Sequence, residues 1–187
     1  MNPFDLALRR LDERLRPPRL PIGDVSYALH DTGLGQLVLA VAEPGTVVAC
    51  SYDDEAAVTE HLARALSPRV LRRPDRLDTL RRQLDEYLEG RRRNIDLPTS
   101  TVLATPFTRK VLEVLRSVPY GSTTSYGDVA RAIGEPQASR AVGNALGANP
   151  ICIVLPCHRV VRGDGSLGGY AGGAEAKHFL LELERGS

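Results

Sequence analysis

Residues 149–161 read Asn-Pro-Ile-Cys-Ile-Val-Leu-Pro-Cys-His-Arg-Val-Val, the most informative pattern in the chain. The apolar run 151–155 predicts a short buried strand, and Pro156 ends it because proline donates no backbone hydrogen bond. Cys157 would then lie at the end of a strand, with His158 beside it. A nucleophilic thiol needs a nearby base or positive charge that lowers its pKa, so this pair predicts a reactive cysteine.

Pro-Cys-His-Arg-Val at residues 156–160 matches, residue for residue, the active-site motif of the O6-alkylguanine-DNA alkyltransferases, also called methylated-DNA–protein-cysteine methyltransferases. The chain resembles this family without gaps over its C-terminal half. The resemblance is looser in the N-terminal half, where it rests mainly on residues 35–51. Besides the motif, the matching positions are Phe107, Tyr120-Gly121, Ser125-Tyr126, residues 139–143, Asn149-Pro150, residues 168–173 and residues 180–184.

Length and composition are those of an ordinary globular protein. The 187 residues suit one large domain or two small ones, and a hydrophobic content of 42% allows a buried core. No apolar run approaches the roughly 20 residues of a membrane span, and the N-terminus lacks the apolar stretch of a secretory signal. We therefore expect no membrane partner and a cytoplasmic location.

The cysteines and histidines predict free thiols and no metal site. The three cysteines are scattered, the four histidines are widely separated, and no Cys-x-x-Cys spacing occurs. Such a set argues against a disulfide framework and for a reducing compartment. Cys50 and Cys152 are expected to be small buried apolar residues. We expect no metal and no other cofactor.

The net charge of +1 gives no support of its own to a nucleic-acid partner. The triplet Arg91-Arg92-Arg93 is interpreted as a solvated surface turn rather than a DNA-binding patch. If DNA is bound, backbone N–H groups and helix N-termini would supply many of the phosphate contacts. The salt dependence of binding would then be mild.

Apolar periodicity and turn residues predict an α+β fold. The N-terminal domain, residues 1–97, would combine a small antiparallel sheet with helices, and residues 1–18 would add a helical extension. The C-terminal domain, residues 98–187, would be mostly helical and would carry a helix-turn-helix and the active-site cysteine. Predicted strands are 25–30, 36–42 and 46–52; predicted helices are 54–66, 74–89, one from Pro106 to Val118, 125–132 and 138–147.

The resemblance implies a catalytic set around Cys157. His158 would accept the thiol proton through a water, and Glu184 would orient the histidine and stabilise its charged form. Asn149 would tie the active-site segment to the helix-turn-helix through its side chain. Tyr126 would contact the substrate base and help to stabilise the leaving guanine.

The resemblance also implies double-stranded DNA as the partner, bound through the minor groove. A base stacked in a duplex cannot be attacked, so the alkylated guanine would be rotated out of the helix. Arg140 would fill the gap that it leaves, and Tyr126 would crowd the neighbouring phosphate. Ala141, Gly143 and Asn144 would allow close approach of the helix to the groove, where base-edge recognition is weak.

The resemblance places the guanine pocket at the glycine-rich segment 168–173. Tyr170 would line the alkyl group, the N–H of Ala171 would lie near O6, and Gly172 would belong to the same wall. Carbonyl groups of Cys157 and Val160 would accept hydrogen bonds from the guanine amino group. Cys152 departs from the family pattern, because some members have proline there, and the width of the pocket is therefore open.

These features predict direct DNA repair by a suicide enzyme. Cys157 would take the alkyl group from O6-alkylguanine irreversibly, in a single turnover, and O4-alkylthymine is a second candidate substrate. A non-catalytic sensor of alkylated DNA is the main alternative, although such proteins commonly replace the cysteine with tryptophan, which this chain lacks. A cysteine hydrolase using Cys157 and His158 is a weaker alternative. Cooperative self-association on DNA is left open.

Overall fold

The computed structural model describes residues 25–186 of the chain. The predicted N-terminal helical extension, residues 1–18, lies outside the described residues. Within the described range, the fold combines one four-stranded sheet with six α-helices and a second, two-stranded sheet. No helix in this range is both long and apolar enough to cross a membrane.

The three predicted antiparallel strands are confirmed. They are β1 (Val25–Thr32), β2 (Gly35–Ala42) and β3 (Thr46–Ser51), each antiparallel to the next. A fourth strand, β4 (Val70–Arg72), pairs in parallel with β1 and gives the strand order β3-β2-β1-β4. The sequence analysis did not predict β4, because a three-residue strand is too short to show a period.

Two helices accompany this sheet. The first, α1 (Glu55–Ala65), begins after Asp54, whose side chain accepts a hydrogen bond from the Ala57 N–H. The second, α2 (Asp78–Leu88), begins four residues later than the predicted start at Pro74. Residues 74–76 form a separate 3₁₀ turn, closed by the hydrogen bond from the Leu77 N–H to the Pro74 carbonyl at 3.0 Å.

The C-terminal part is mostly helical, as predicted. It contains α3 (Pro106–Leu115), α4 (Tyr126–Ala132), α5 (Ser139–Gly147) and α6 (Gly173–Arg185). Ser125 and Asp128 form a reciprocal capping box that fixes the start of α4. Helices α4 and α5 are joined by a short turn and pack on each other; their identification as a helix-turn-helix stays a prediction.

The predicted strand 151–155 is wrong. Only Ile151 makes a bridge, with Cys50 of β3, and the residues after it form a turn in which Ile153 has a φ of +68°. The Leu155 N–H bonds to the Ile151 carbonyl at 2.9 Å, which coils the backbone. An apolar run indicates that a segment is buried but does not indicate its secondary structure. Here the buried run forms a turn. Cys157 therefore begins a 3₁₀ turn, Cys157–Arg159, instead of ending a strand.

The two faces of the four-stranded sheet pack against different partners. Leu37 and Leu39 of β2 belong to a cluster that also holds apolar side chains of α2, α3, α4, α5 and residues 150–160, the predicted catalytic segment. Val38 and Ala40, on the other face, pack with Val58 of α1. The alternation along β2 is that of a sheet buried on both sides. One core thus joins the N-terminal and C-terminal parts, and the proposed division after residue 97 stays a prediction.

Candidate active site

Cys157 lies buried beneath the surface, with 4% of its area exposed. The side chain of Asn149 holds the turn around it: its Oδ1 accepts from the Ile151 N–H at 3.0 Å, and its Nδ2 donates to the Leu155 carbonyl at 3.0 Å. The same Nδ2 lies 3.2 Å from Cys157 Sγ. Asn149 therefore fixes the backbone and directs an N–H donor at the sulfur, which favours the thiolate.

The surroundings of Cys157 lower its pKa below the ordinary value. The hydrogen bond with Cys152 is the largest cause, and the Asn149 donor and the positive charge of Lys177 act in the same direction. Together they outweigh burial, which raises the pKa of a thiol. The same contact raises the pKa of Cys152, so Cys157 is the one of the two thiols that ionises more readily.

His158 is fully buried and paired with a carboxylate. Its Nε2 lies 2.6 Å from Oε1 of Glu184, which comes from α6 and is itself 3% exposed. Burial lowers the pKa of His158 below its ordinary 6.5, so the ring is neutral near pH 7. With Nε2–H donating to Glu184, the Nδ1 atom is the acceptor, and it has no hydrogen-bond partner among residues 25–186. This nitrogen is free to receive a proton.

Glu184 is the anchor of a buried network. Arg159 donates to it from Nε at 2.9 Å and from Nη2 at 3.1 Å, and the Gly121 N–H donates to Oε2 at 2.9 Å. The Tyr87 hydroxyl donates to Oε1. Burial alone would raise the pKa of Glu184, but the hydrogen bonds from His158 and Arg159 outweigh it and lower the pKa to about 2. The carboxylate thus stays ionised and can stabilise a histidinium.

Arg159 and Tyr87 were not assigned to the site by the sequence analysis. Arg159 lies inside the Pro-Cys-His-Arg-Val motif, and this position could have identified it as a site residue. Tyr87 lies on the buried face of α2 beside leucines, and nothing in the sequence pattern distinguishes it from an ordinary core residue. Its function depends on a contact between residues 97 positions apart, which no local pattern encodes.

Lys177 of α6 is a further buried charge that the sequence analysis missed, with no exposed area. Its Nζ donates to the Val160 carbonyl at 2.6 Å and to the Gly169 carbonyl at 3.3 Å. Burial lowers its pKa to about 8. Lys177 thereby ties Val160, directly after the 3₁₀ turn Cys157–Arg159, to the glycine-rich segment. The Val160 carbonyl, predicted to face guanine, already accepts this one hydrogen bond.

A cleft of about 740 Å³ opens between α4, α5 and the glycine-rich loop, defined here as residues 168–173. It brings five predicted residues together: Tyr126, Arg140, Gly143, Tyr170 and Ala171 line it, with Ser139, Gly147, Arg162, Gly168 and Gly169. Ala141 and Asn144 are exposed on α5 outside this lining, and Gly172 belongs to the loop but does not line the cleft. The cleft thus holds two arginines beside an aromatic wall.

The loop approaches Tyr126 closely. A Cβ atom built on Gly168 would lie 2.5 Å from the Tyr126 hydroxyl, and Gly168 has a φ of +68°. Both the space and the backbone conformation therefore require glycine. Burial raises the pKa of Tyr126, so its hydroxyl stays a hydrogen-bond donor at the cleft.

This arrangement provides a thiol with a lowered pKa, a neutral imidazole with an unpaired nitrogen, and an ionised carboxylate behind it. Such a set supports nucleophilic attack by sulfur. Cys157 itself is not among the residues that line the cleft; Tyr170, which does line it, has its ring 6.3 Å from that of His158. Among residues 25–186, no three His, Cys, Asp or Glu side chains are grouped so that they could hold a metal ion.

Comparisons with known proteins point to one family. A family model described as the DNA-binding domain of 6-O-methylguanine DNA methyltransferase matches residues 106–186. The inducible methylated-DNA–protein-cysteine methyltransferase of Bacillus subtilis is 47% identical over 111 residues, which are 59% of this chain and 62% of that protein. The constitutive enzyme of the same organism is 38% identical over 161 residues, which are 85% of this chain and 94% of that protein.

A solved structure gives the same result in three dimensions. Mycobacterium tuberculosis OGT in complex with DNA superposes with a TM-score of 0.74 at 34% sequence identity. The match covers 86% of this chain and 93% of that chain. The α+β fold described above is therefore shared with that protein.

Proposed function

The chain belongs to the methylated-DNA–protein-cysteine methyltransferase family, and on that premise we propose that it repairs DNA by transferring an alkyl group from O6 of guanine to Cys157. The observation that carries this proposal is the Asn149 Nδ2 donor 3.2 Å from Cys157 Sγ, in surroundings that lower the pKa of the thiol. The thiolate is the nucleophilic form of cysteine. A buried cysteine without such donors would be inert.

The chemical step is an in-line displacement at the alkyl carbon. A bond forms between Cys157 Sγ and this carbon while the bond from carbon to O6 breaks, and its electron pair remains on guanine. Guanine takes up one proton, equal to the proton that the thiol gave up, so no cofactor or further reactant is needed. A thioether has no easy leaving group, so each protein molecule reacts once.

The buried network supplies the proton path. His158 Nδ1 accepts the thiol proton through a bridging water, and the resulting imidazolium is stabilised by Glu184 at 2.6 Å. Arg159 and Tyr87 keep Glu184 in place through their hydrogen bonds. The neutral hydroxyl of Tyr126 donates to the leaving guanine.

The cleft beside Tyr126 and Tyr170 receives the flipped base, and α5 lies against the minor groove of the duplex. Arg140 is exposed at the cleft and enters the gap in the base stack, while Ala141, Gly143 and Asn144 allow the helix to approach. The solved structure of the Mycobacterium tuberculosis relative in complex with DNA supports this partner. Self-association along DNA is a further proposal for the exposed surface of the N-terminal part.

We assign O6-alkylguanine as the substrate class and the cytoplasm as the location. O4-alkylthymine is a second candidate substrate, since the thymine ring is smaller than guanine. The location follows from the substrate, because the protein must reach the genome.

Restoration of guanine in the substrate tests the function. A duplex with one O6-methylguanine is incubated with the protein, and its nucleosides are quantified after digestion. We expect one equivalent of restored guanine per protein molecule, none with Cys157→Ser, and an unchanged yield with the matched control Cys50→Ala. Lesion-selective binding without restored guanine would contradict the transfer and favour the sensor.

A further inference from the structure

Tyr52 comes from the N-terminal part of the chain and lies against the glycine-rich loop. It follows β3 directly, and β3 is fixed to the catalytic segment by two backbone hydrogen bonds: Cys50 N–H to the Pro150 carbonyl at 2.8 Å and Cys152 N–H to the Cys50 carbonyl at 2.7 Å. The position of Tyr52 relative to the active site is therefore set by this short anchor.

The ring of Tyr52 touches the loop at Gly172. A Cβ atom built on Gly172 would lie 2.6, 2.8 and 2.9 Å from three atoms of the ring. Real side chains do not approach so closely, so the contact needs glycine at this position. The backbone of Gly172 is ordinary, with a φ of −79°, so the need for glycine comes from the ring and not from backbone strain.

The ring also contacts the residue that lines the cleft. The rings of Tyr52 and Tyr170 meet edge to face with centroids 5.7 Å apart, and Tyr170 meets His158 in the same way at 6.3 Å. Tyr170 and Ala171 line the cleft, whereas Tyr52 and Gly172 do not. Tyr52 therefore supports the wall of the cleft from behind.

We propose that Tyr52 is a positioning residue that sets the size of the alkyl group the protein accepts. This inference rests on the proposed function. An aromatic ring packed behind Gly172 and Tyr170 prevents the loop from retreating, because packed interiors resist compression. A bulky alkyl group fits in the cleft only if the loop moves outward, whereas a methyl group fits without this movement.

Two opposite substitutions test the inference. Tyr52→Ala removes the support, so the rate of transfer from O6-benzylguanine should rise relative to that from O6-methylguanine by roughly tenfold, the scale of discrimination by an apolar pocket. Gly172→Ala adds a Cβ atom that would clash with the Tyr52 ring, so the loop should shift toward the cleft and narrow it. The rate with O6-benzylguanine relative to O6-methylguanine should then fall. In the double variant the ring that clashes is gone, so the effect of Gly172→Ala should disappear and the ratio should equal that of Tyr52→Ala.

Tyr52→Phe is the matched control, because it keeps the ring and removes only the hydroxyl; its ratio should equal that of the wild type. Single-turnover rates are measured with duplexes carrying each adduct, so a general loss of stability would lower both rates and leave their ratio unchanged. A ratio in Tyr52→Ala equal to that of the wild type overturns the inference. Failure of the wild-type chain to dealkylate either duplex would overturn the proposed function first, and the inference with it.

Discussion

At the scale of single residues, three buried cysteines differ in reactivity because their neighbours differ. Burial raises the pKa of Cys50 to about 12, and the contact with Cys157 raises the pKa of Cys152 well above its usual range. Cys157 is also buried, with 4% of its area exposed, yet its pKa is lowered by hydrogen bonds from Cys152 and Asn149 and by the Lys177 charge. The reactive thiol is therefore defined by donors and not by exposure.

Asn149→Ala should raise the pKa of Cys157, because the variant loses the donor at 3.2 Å from the sulfur. The wild-type rate of alkyl transfer should rise with pH through a Cys157 pKa that lies below the ordinary 9.0. In Asn149→Ala the same rise should occur at higher pH, and the rate near pH 7 should fall about tenfold for each pH unit by which the profile moves. A pH–rate profile measures both.

Asn149→Asp is the informative companion, since it keeps the acceptor for the Ile151 N–H and replaces the donor with a negative charge. Its profile should be displaced further than that of Asn149→Ala. Asn94→Ala, at an exposed amide outside this network, should leave the profile unchanged. An equal loss of rate at every pH in the Asn149 variants would contradict a role in thiolate stabilisation.

Arg140→Ala should weaken binding to duplex DNA about tenfold and reduce the slope of log K against log salt concentration by about one, as expected for the loss of one cationic contact. Arg131→Ala is the matched control, because Arg131 is exposed on the neighbouring helix α4 but pairs with Asp128 outside the cleft lining. Fluorescence anisotropy over a salt series measures both. Equal effects of the two substitutions would argue against α5 as the DNA-contacting helix.

The residues of the site were predicted from the sequence through the family resemblance, both inside the motif 156–160 and outside it, as Asn149 and Glu184 show. Cys157, His158 and Asn149 belong to one short segment, and the structure brings Glu184 to His158 across the chain. Lys177 and Tyr52 could not be predicted, because each acts through a contact between distant segments. Helical periodicity places Lys177 on a buried face without explaining why a charge is there.

At the scale of elements, turns position the network as much as helices do. Gly121 ends the segment after α3 with a φ of +74°, and a Cβ there would lie 2.9 Å from the Glu184 carbonyl oxygen. Gly134 has a similar φ of +78°, but a Cβ added to it would meet no atom within 4 Å. Comparing Gly121 with Gly134 therefore separates the cost of backbone strain from the cost of a steric clash.

Gly134→Ala should cost about 1–2 kcal/mol, the penalty of a left-handed conformation for an L-residue. Gly121→Ala should cost this amount and roughly 1–3 kcal/mol more, because the added carbon must displace the end of α6. Urea unfolding of both variants measures the difference. An equal loss of unfolding free energy in the two variants would contradict a steric clash between residue 121 and the Glu184 carbonyl.

The elements that the sequence predicted well are those whose pattern is long. Strands β1, β2 and β3 alternate or run apolar over six to eight residues, and two helices of the C-terminal part begin at side-chain caps, Thr105 and Ser125. The predicted strand 151–155 failed because a buried turn and a buried strand have the same composition. The start of α2 was placed too early because Pro74 suits the first turn of an α-helix as well as a 3₁₀ turn.

At the scale of the whole molecule, Glu184 joins segments that are far apart in sequence: Tyr87 from α2, Gly121 from the segment after α3, and His158 and Arg159 from the catalytic turn. Its pKa of about 2 in the folded protein lies below the ordinary 4.5. A depressed carboxyl pKa contributes stability that is complete above about pH 4.5 and is lost as the pH falls toward 2.

Wild-type stability should therefore fall by roughly 3 kcal/mol through this window on account of Glu184, given about 1.4 kcal/mol for each pKa unit. Glu184→Gln lacks the titrating group, so its own fall should be smaller by that amount. At neutral pH this variant should be less stable by about 3–5 kcal/mol, because Arg159 is left buried without a countercharge. Urea unfolding at a series of pH values checks both; parallel curves for the two proteins would contradict the assignment.

Irreversible transfer of the alkyl group to Cys157 would leave a permanent increase in the mass of the intact protein. The protein is titrated with a duplex containing one O6-methylguanine, and its mass is measured before and after, followed by peptide mapping. We predict a gain of one methylene group, confined to Cys157 and saturating at one equivalent. An unchanged mass in the presence of lesion-selective binding, or a gain on Cys152 in place of Cys157, would contradict the account.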